Sequence, residues 1–445
     1  MARIFGTDGV RGLANADLTP ELALAVGEGL VRTLREEGVR RPAIVVGRDP
    51  RWSGEMIRAA LVAGITSAGG DAVDVGVLPT PAVAYLTQTS GAAAGVMISA
   101  SHNPVQDNGI KCFGPDGHKL TDAEEDRLQE LIDDDFTDRP TGLEVGRHHH
   151  DRDGLQRYIA HVVASSNADL TGMKLVVDAA NGAASVAGPE VYRRLGAEVI
   201  AIHADPDGAN INDNCGSNHP EVLLAAVAAH GADAGVSHDG DADRLVAAAA
   251  DATEVDGDVI LAILARNAHE AGTLVGDTVV TTVMTNLGFK HAMANLGIDV
   301  VETKVGDRYV LEAMRDQGFT LGGEQSGHVI QLEHATTGDG VLTAARLLGV
   351  VTSTGQSLAE LAKVMTRLPQ VLLNVRGVRK DDLDGNAAIW DAVSAAEAEL
   401  ADNGRVLVRA SGTEPMVRVM VEATTQGAAQ AHADTIAEIV AASLS

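Results

Sequence analysis

"PAIVVGRDPRWSGEMIRAALVAGITSAGGDAVDVG", Pro42 to Gly76, decides the fold. β-Branched residues run into a polar turn, helical spacing follows, and a glycine stands just before a second apolar run. That order is strand, turn, helix, strand, the signature of a right-handed βαβ crossover. "MKLVVDAANGAASVAGPEVYRRLGAEVIAI" (173–202) and "DTVVTTVMTNLGFKHAMANLGIDVVETKVG" (277–306) repeat it. Three such units predict three similar α/β domains with largely parallel sheets and helices on their faces. Thr19-Pro20-Glu21 and the Thr121/Glu124 spacing predict helix starts. "DDDFTDRPTG" (133–142), "GRHHHDRDG" (146–154) and "TRLPQ" (366–370) read as linkers. His148-His149-His150 is read as part of a solvated linker rather than a metal site, since no carboxylate or cysteine lies at ligand spacing. After Pro369 the texture changes to a small α+β domain. The expected boundaries are 1–150, 151–252, 253–367 and 368–445.

The 445 residues exceed one core, and an apolar content of 45% can fill several. Aromatics make up only 2%, so packing rests on Ala, Val, Leu and Ile. The formal net charge of −28 argues against nucleic-acid binding, which needs a basic face. It also means that an anionic substrate must be met by gathered arginines and lysines. No signal-like or membrane-length apolar run is present, and Cys112 and Cys215 form no CxxC pair. A soluble cytoplasmic protein with no membrane partner is expected.

"SASHNP" (99–104) follows an apolar run and places Ser101 beside His102. It reads either as an ordinary turn or as a nucleophile held up to a cleft, with Ser99 as the rival hydroxyl. "DGDADR" (239–244) sets Asp239, Asp241 and Asp243 at alternate positions, a donor set for a hard divalent cation such as Mg²⁺ or Ca²⁺. An EF-hand fails, because its sixth and twelfth positions hold Arg244 and Ala250. "GEQSGH" (323–328) offers Glu324, Ser326 and His328 to a polyol, and "RASGTEP" (409–415) offers an arginine, hydroxyls and a glycine to an anion. Neither a Walker loop nor GxGxxG occurs. A serine phosphoryl carrier, a cation, a sugar loop and an anion loop together suit phosphoryl transfer to a sugar better than a serine hydrolase, for which GxSxG is missing.

With "FGTDGVRG" (5–12), these motifs resemble, in family order and over essentially the whole chain, those of the α-D-phosphohexomutase superfamily, in particular its bacterial amino-sugar members. The resemblance implies three related mixed-sheet α/β domains and a TATA-binding-protein-like α+β domain around a central cleft. It implies interconversion of glucosamine 6-phosphate and glucosamine 1-phosphate through a phosphoserine and a bisphosphorylated sugar, toward UDP-N-acetylglucosamine and cell-wall precursors. By matching positions, Ser101 is the phosphoserine and joins Asp239, Asp241 and Asp243 around one Mg²⁺. Arg244 lies by the phosphoryl group, and Arg11, His102 and Lys111 match positions near the transfer. Glu324, Ser326 and His328 meet the sugar, while Arg409, Ser411, Gly412, Thr413 and Arg418 hold the phosphate that is not reacting. A sugar bisphosphate as priming activator, a mobile fourth domain and a possible homodimer belong to the same expectation. Arg48 and Arg51, beside the motifs, are read as part of the positive charge gathered for phosphate. A phosphomannomutase/phosphoglucomutase of the same superfamily and a non-catalytic phosphosugar-binding protein remain the alternatives.

Overall fold

A short strand β1 (Val10–Leu13) precedes the crossover read from residues 42–76. There β2 (Ala43–Arg48), the helix Trp52–Ser67, β3 (Asp71–Val77), the helix Thr80–Ser90 and β4 (Ala94–Ile98) follow one another, with β3 and β4 flanking β2 in parallel register. The chain then turns back into β5 (Asp107–Phe113), antiparallel to β4. The computed structural model describes residues 3–6, 8–134, 136–411 and 415–445.

After β6 (His148–His150) the same plan recurs in β7 (Lys174–Asp178), β8 (Glu198–Ile202), β9 (Ala234–Ser237) and β10 (Val246–Ala249). Past the two-residue β11 (Glu254–Val255) it recurs again in β12 (Thr278–Thr282), β13 (Asp299–Thr303), β14 (Leu321–Gly323) and β15 (Val329–Gln331). Each sheet carries one order of its four repeated strands: β3-β2-β4-β5, β8-β7-β9-β10 and β13-β12-β14-β15. The fourth strand is antiparallel every time, so the sheets are parallel with one reversed strand, the mixed sheets that the resemblance implies. The reason is loop length. Residues 99–106, 238–245 and 324–328 are too few for the crossover of about a dozen residues that parallel pairing needs. Those three hairpin loops hold "SASHNP", "DGDADR" and "EQSGH", so the repeat presents each motif at the same place in its sheet.

Thr19 caps the helix Pro20–Glu36 through Leu22 N, and Thr121 with Glu124 forms a capping box on Asp122–Asp133, as the sequence predicts. The first core is aliphatic: Leu30, Ile44, Val46, Ile57, Leu61, Ile65, Val96, Ile98 and Ile110 pack together, each contributing about 1.5–3 kcal/mol by leaving water. The histidine run differs from its linker reading. His148–His150 is an edge strand parallel to β3, and His148 and His150 both approach Asp74, at 3.5 and 3.4 Å. Strand pairing supplies the carboxylate that sequence spacing did not reveal.

By compactness the chain divides into Met1–Met284 with Ile298–Val364, and Thr285–Gly297 with Met365–Ser445. The first unit contains the three repeated sheets. The second has the antiparallel order β16-β18-β17, from β16 (Gln370–Arg376), β17 (Arg405–Ala410) and β18 (Met416–Glu422). The helices Ala387–Leu400 and Gln426–Ser443 bury Ile389, Val393, Ile436 and Val440 with Val417, Val419 and Val421. Fully buried Glu422 binds Arg405 Nε at 2.7 Å and accepts from Leu287 N at 2.9 Å, fastening the helix Leu287–Leu296 to this unit. Removing one partner of such a pair costs about 3–5 kcal/mol.

Candidate functional site

Ser101 stands in the β4–β5 loop with a left-handed backbone, φ 52°, and almost no exposed surface. Its Oγ donates to Asp239 Oδ2 at 2.6 Å and lies 3.3 Å from His102 Nδ1. Residues 101 and 239 therefore meet at hydrogen-bond distance across two sheets of the first unit. Burial, with the nearby charges of Arg244 and Arg11, pushes His102 down to about 4. It is neutral near pH 7 and able to accept a proton. Ser99 points elsewhere: its Oγ donates to buried Asp49 and accepts from Ser101 N at 2.9 Å. The rival hydroxyl is thereby fixed in a structural clamp.

Arg51 corrects the sequence reading. It is fully buried and donates to Asp49 and to the carbonyls of Ser101, Asn103, Pro104 and Asp107. Its donors hold the loop's shape and are not free for phosphate. Arg48 is likewise engaged by Glu55.

The acidic loop is gripped through its backbone. Ala183 N donates to Gly240 O, Thr80 N to Asp241 O and Gly340 N to Ala242 O, at 2.8–3.0 Å. A Cβ on Gly240 would come within 2.5 Å of Ser101 O, so only glycine lets the two loops approach this closely. One oxygen from each of Asp239, Asp241 and Asp243 lies within 4.8 Å of the others, and all three residues are buried. Burial first, then repulsion from Asp243 and Asp241, pushes Asp239 up to about 8. Lys111 Nζ lies 2.8 Å from Asp241 Oδ2, 3.2 Å from Asp8 and 3.7 Å from Asp243. Burial pulls its pKa down, but Asp241, Asp8 and Asp243 outweigh that and raise it, so Lys111 is a fixed cation. Asp241 Oδ1 and Asp243 Oδ1 remain buried without a hydrogen-bond partner. Orphaned carboxylate oxygens converging from one rigid loop fit a hard divalent cation.

Arg244, at the end of this loop, has a buried Nε with no hydrogen-bond partner and lies 3.9 Å from Asp243. Arg11 is paired with Asp8, which also binds Lys119. In the β14–β15 loop, Ser326 is exposed and Glu324 half-buried. Burial pushes Glu324 upward in pKa, while its carboxylate accepts from Gly306 N at 3.1 Å. His328 differs from both. It is buried, its Nδ1 lies 3.6 Å from Asp243, and its Nε2 accepts from Gly338 N at 3.1 Å. Its ring is thus engaged in holding the acidic loop. Gly327, at φ 90°, brings the third loop against Leu245 O, where a Cβ would meet the oxygen at 2.1 Å.

In the second unit, Arg409 and Arg418 are direct cross-strand partners on β17 and β18. Burial and then the charge of Arg418 lower the Arg409 pKa, and Arg418 Nε is buried without a partner. Among the described residues neither has a carboxylate at ion-pair distance. Ser411 is buried, and its carbonyl accepts from Lys380 at 2.6 Å. Gly412 and Thr413 lie outside the described residues.

Several contributors escape sequence reading. Thr80 donates to Asp241 at 2.6 Å, Asn212 Nδ2 donates to Ser101 O at 2.9 Å, and neutral His238 accepts from Tyr192 while holding Arg244 O. Thr80 and Asn212 act across more than a hundred residues and belong to no motif, while His238 stands just before "DGDADR" and its partner Tyr192 lies 46 residues away. Asp8 alone carried a signal, because it stands inside "FGTDGVRG".

Comparison with known proteins agrees with this geometry. Models of the phosphoglucomutase/phosphomannomutase family match in sequence order: alpha/beta/alpha domain I at 2–138, domain II at 156–252, domain III at 256–368 and the C-terminal domain at 372–439. A phosphoglucosamine mutase of Saccharopolyspora erythraea is 58% identical over 443 residues, covering 99% of this chain and 100% of that one. One from Thermobifida fusca is 57% identical over 100% of this chain and 99% of its own length. The crystal structure of a phosphoglucomutase/phosphomannomutase family protein from Burkholderia thailandensis superposes with a TM-score of 0.84 at 26% identity, over 100% of this chain and 98% of that one. An Aspergillus fumigatus N-acetylphosphoglucosamine mutase, solved with GlcNAc-6P and magnesium, shares the fold at a TM-score of 0.69 and 19% identity, over 99% and 96% of the two chains. With its four α/β and α+β domains in the same order, the chain belongs to the phosphoglucomutase/phosphomannomutase family of α-D-phosphohexomutases.

Proposed function

We propose that the chain is a phosphoglucosamine mutase, interconverting glucosamine 6-phosphate and glucosamine 1-phosphate through phosphorylated Ser101 and a bisphosphorylated sugar. The observation that carries the reading is the 2.6 Å contact between Ser101 Oγ and Asp239 Oδ2, beside two orphaned carboxylate oxygens. Full-length relatives at 55–58% identity that bear that name support the amino-sugar choice.

In the first half-reaction the bond from phosphorus to Ser101 Oγ breaks as one forms to O1 or O6 of the sugar, and Ser101 regains a proton as the sugar hydroxyl loses one. In the return half, Ser101 Oγ attacks the other phosphate of the bisphosphate, the bond from that phosphorus to the sugar oxygen breaks, and the sugar oxygen takes up a proton. Neutral His102, 3.3 Å away, takes the Ser101 proton. Lys111 stays charged and, with Arg244 and Arg11, offsets phosphoryl charge. One Mg²⁺ bound by Asp239, Asp241, Asp243 and the Ser101 side chain would draw charge from the phosphoryl oxygens. Glu324 and Ser326 are assigned to the sugar. His328, whose ring lies 3.6 Å from Asp243, is assigned to the sugar beside them. Arg409, Ser411 and Arg418, with Gly412 and Thr413, are assigned to the phosphate that is not reacting.

The same reading includes a sugar bisphosphate that primes Ser101, a cytoplasmic location, a homodimer and domain limits at 1–150, 151–252, 253–367 and 368–445. The four sheets and the four family matches support those limits. No described helix is long and apolar enough to cross a membrane.

The test is an isomerase assay with Mg²⁺ and a catalytic amount of sugar bisphosphate, comparing glucosamine 6-phosphate with glucose 6-phosphate and mannose 6-phosphate. Preferential turnover of the amino sugar is expected. Preference for a hexose would transfer the chain to phosphomannomutase/phosphoglucomutase activity, and no turnover of any would overturn the mutase reading.

A further inference from the structure

Away from the acidic trio, a second cluster joins three different donor types. Asp178 ends β7 and is fully buried. His203 follows β8 with a left-handed backbone, φ 45°. Cys215 comes from the segment leading to the helix Pro220–His230 and is 1% exposed. A carboxylate oxygen, an imidazole nitrogen and the sulfur all lie within 4.8 Å of one another.

The cluster is not explained by its internal hydrogen bonds. Asp178 accepts from Ala180 N at 2.9 Å and from Gly216 N at 3.1 Å, but among the described residues no lysine or arginine neutralises it. His203 Nδ1 lies 3.1 Å from Asp178 Oδ2, yet this buried nitrogen makes no hydrogen bond. A buried carboxylate whose one ion-pair neighbour among the described residues is an imidazole, and a buried nitrogen that makes no hydrogen bond, are both costly. If Cys215 were only a small apolar filler, neither feature would be accounted for.

We propose that Asp178, His203 and Cys215 bind one Zn²⁺, or a cation of similar softness, as a structural site separate from the magnesium site. Thiolate, imidazole and carboxylate together favour zinc over the hard cations that an all-oxygen trio selects. Tetrahedral bonds of about 2.0–2.3 Å set ligand atoms roughly 3.3–3.7 Å apart, so the Asp178–His203 separation needs only a small adjustment. Binding releases the Cys215 thiol proton to solvent. The His203 side chain keeps 33% of its surface, so the cluster can be reached from solvent. The site has a structural consequence for the transfer loop. Asn212, three residues before Cys215, donates to Ser101 O and Asn103 O at 2.9 and 3.0 Å. Anchoring Cys215 to the ends of β7 and β8 stiffens the segment that holds the Ser101 loop. The proposal does not depend on which sugar the chain isomerises.

The test uses the chelator-treated, tag-free full chain, titrated with Co²⁺ in saturating Mg²⁺. One equivalent should produce a thiolate-to-cobalt charge-transfer band that Zn²⁺ abolishes. Oxygen-only and imidazole-only sites, including the acidic trio and His148/His150, give no such band. With only two cysteines the assignment is direct. Cys215→Ser should lose the band and Cys112→Ser should keep it. His203→Asn, which tolerates a left-handed backbone, should weaken zinc binding at least tenfold against a chromophoric chelator; should Cys215→Ser not fold, this variant carries the assignment. Absence of the band in folded wild type, its survival in Cys215→Ser, or unchanged zinc affinity in His203→Asn would overturn the site.

Discussion

At Asp239, Asp241 and Asp243 three carboxylates are folded into one buried loop of the first unit, whereas at Arg409 and Arg418 two guanidiniums face each other across a strand pair of the second. The signs are opposite but the condition is shared. Each group holds like charges that repel, and each retains a buried polar atom without a partner. The difference lies in how the protein manages the charge. The acidic loop has Lys111 beside Asp241 and three backbone N–H donors holding it in place, so it is shaped before any ion arrives. Among the described residues the arginine pair is held by the register of β17 and β18 and has no carboxylate at ion-pair distance. A preformed cage and an open fork are what a small cation and a ligand phosphate respectively require.

The comparison is broken most severely at the lip of the acidic loop. Ser101→Ala removes the hydroxyl that donates to Asp239 and should lower turnover by about ten-thousandfold or more, as loss of a covalent carrier does. Circular dichroism should be unchanged, because the loop is held by Arg51 through carbonyl groups that the substitution leaves intact. Near-normal turnover would relocate the carrier, and Ser99→Ala would then be the decisive variant.

A smaller effect separates charge from shape within the loop. Asp241→Asn keeps an oxygen for the Thr80 and Lys111 donors while removing one negative charge. Turnover should fall by about a hundred- to a thousandfold, the several kcal/mol that an active-site cation supplies. Mg²⁺ should raise the wild-type Tm, and chelation should reverse the rise. In Asp241→Asn that rise should vanish, while the metal-free Tm equals or exceeds that of metal-free wild type. A variant that keeps the full Mg²⁺-dependent shift would show that Asp241 is not a ligand.

How far each region was readable follows from where its partners lie. The acidic trio, Ser101 and Arg409 stand in short motifs whose chemistry is local, Arg418 follows three residues after one of them, and the repeated strand–helix pattern put three of the motifs on equivalent hairpins. Arg51 misled because its acceptors are backbone carbonyls, which leave no trace in residue identity. His328 reads as a sugar ligand within "GEQSGH", yet strand pairing turns its ring toward Asp243. Asp178, His203 and Cys215 were invisible as a group, since only the adjacency of β7, β8 and the segment before Pro220 unites them. The direction of the individual fourth strands was not readable, because apolar runs do not encode strand direction.

The finest test concerns the open fork. Arg418 is the Nε-orphaned member of the pair, and Arg418→Gln relieves the cross-strand repulsion while shortening the fork. Without ligand, the second unit should gain about 0.5 kcal/mol, the scale of a like-charge pair directly opposed in a sheet. With phosphosugar the sign reverses: KM should rise about 10- to 100-fold, the range for losing hydrogen bonds to a charged group, with kcat much less affected. Arg418→Lys separates the two contributions. It keeps the positive charge and hence the repulsion, so no stability gain is expected, yet it loses the planar fork and should still raise KM. If both variants destabilise the ligand-free chain equally, the arginine serves packing, and the parallel with the acidic trio fails.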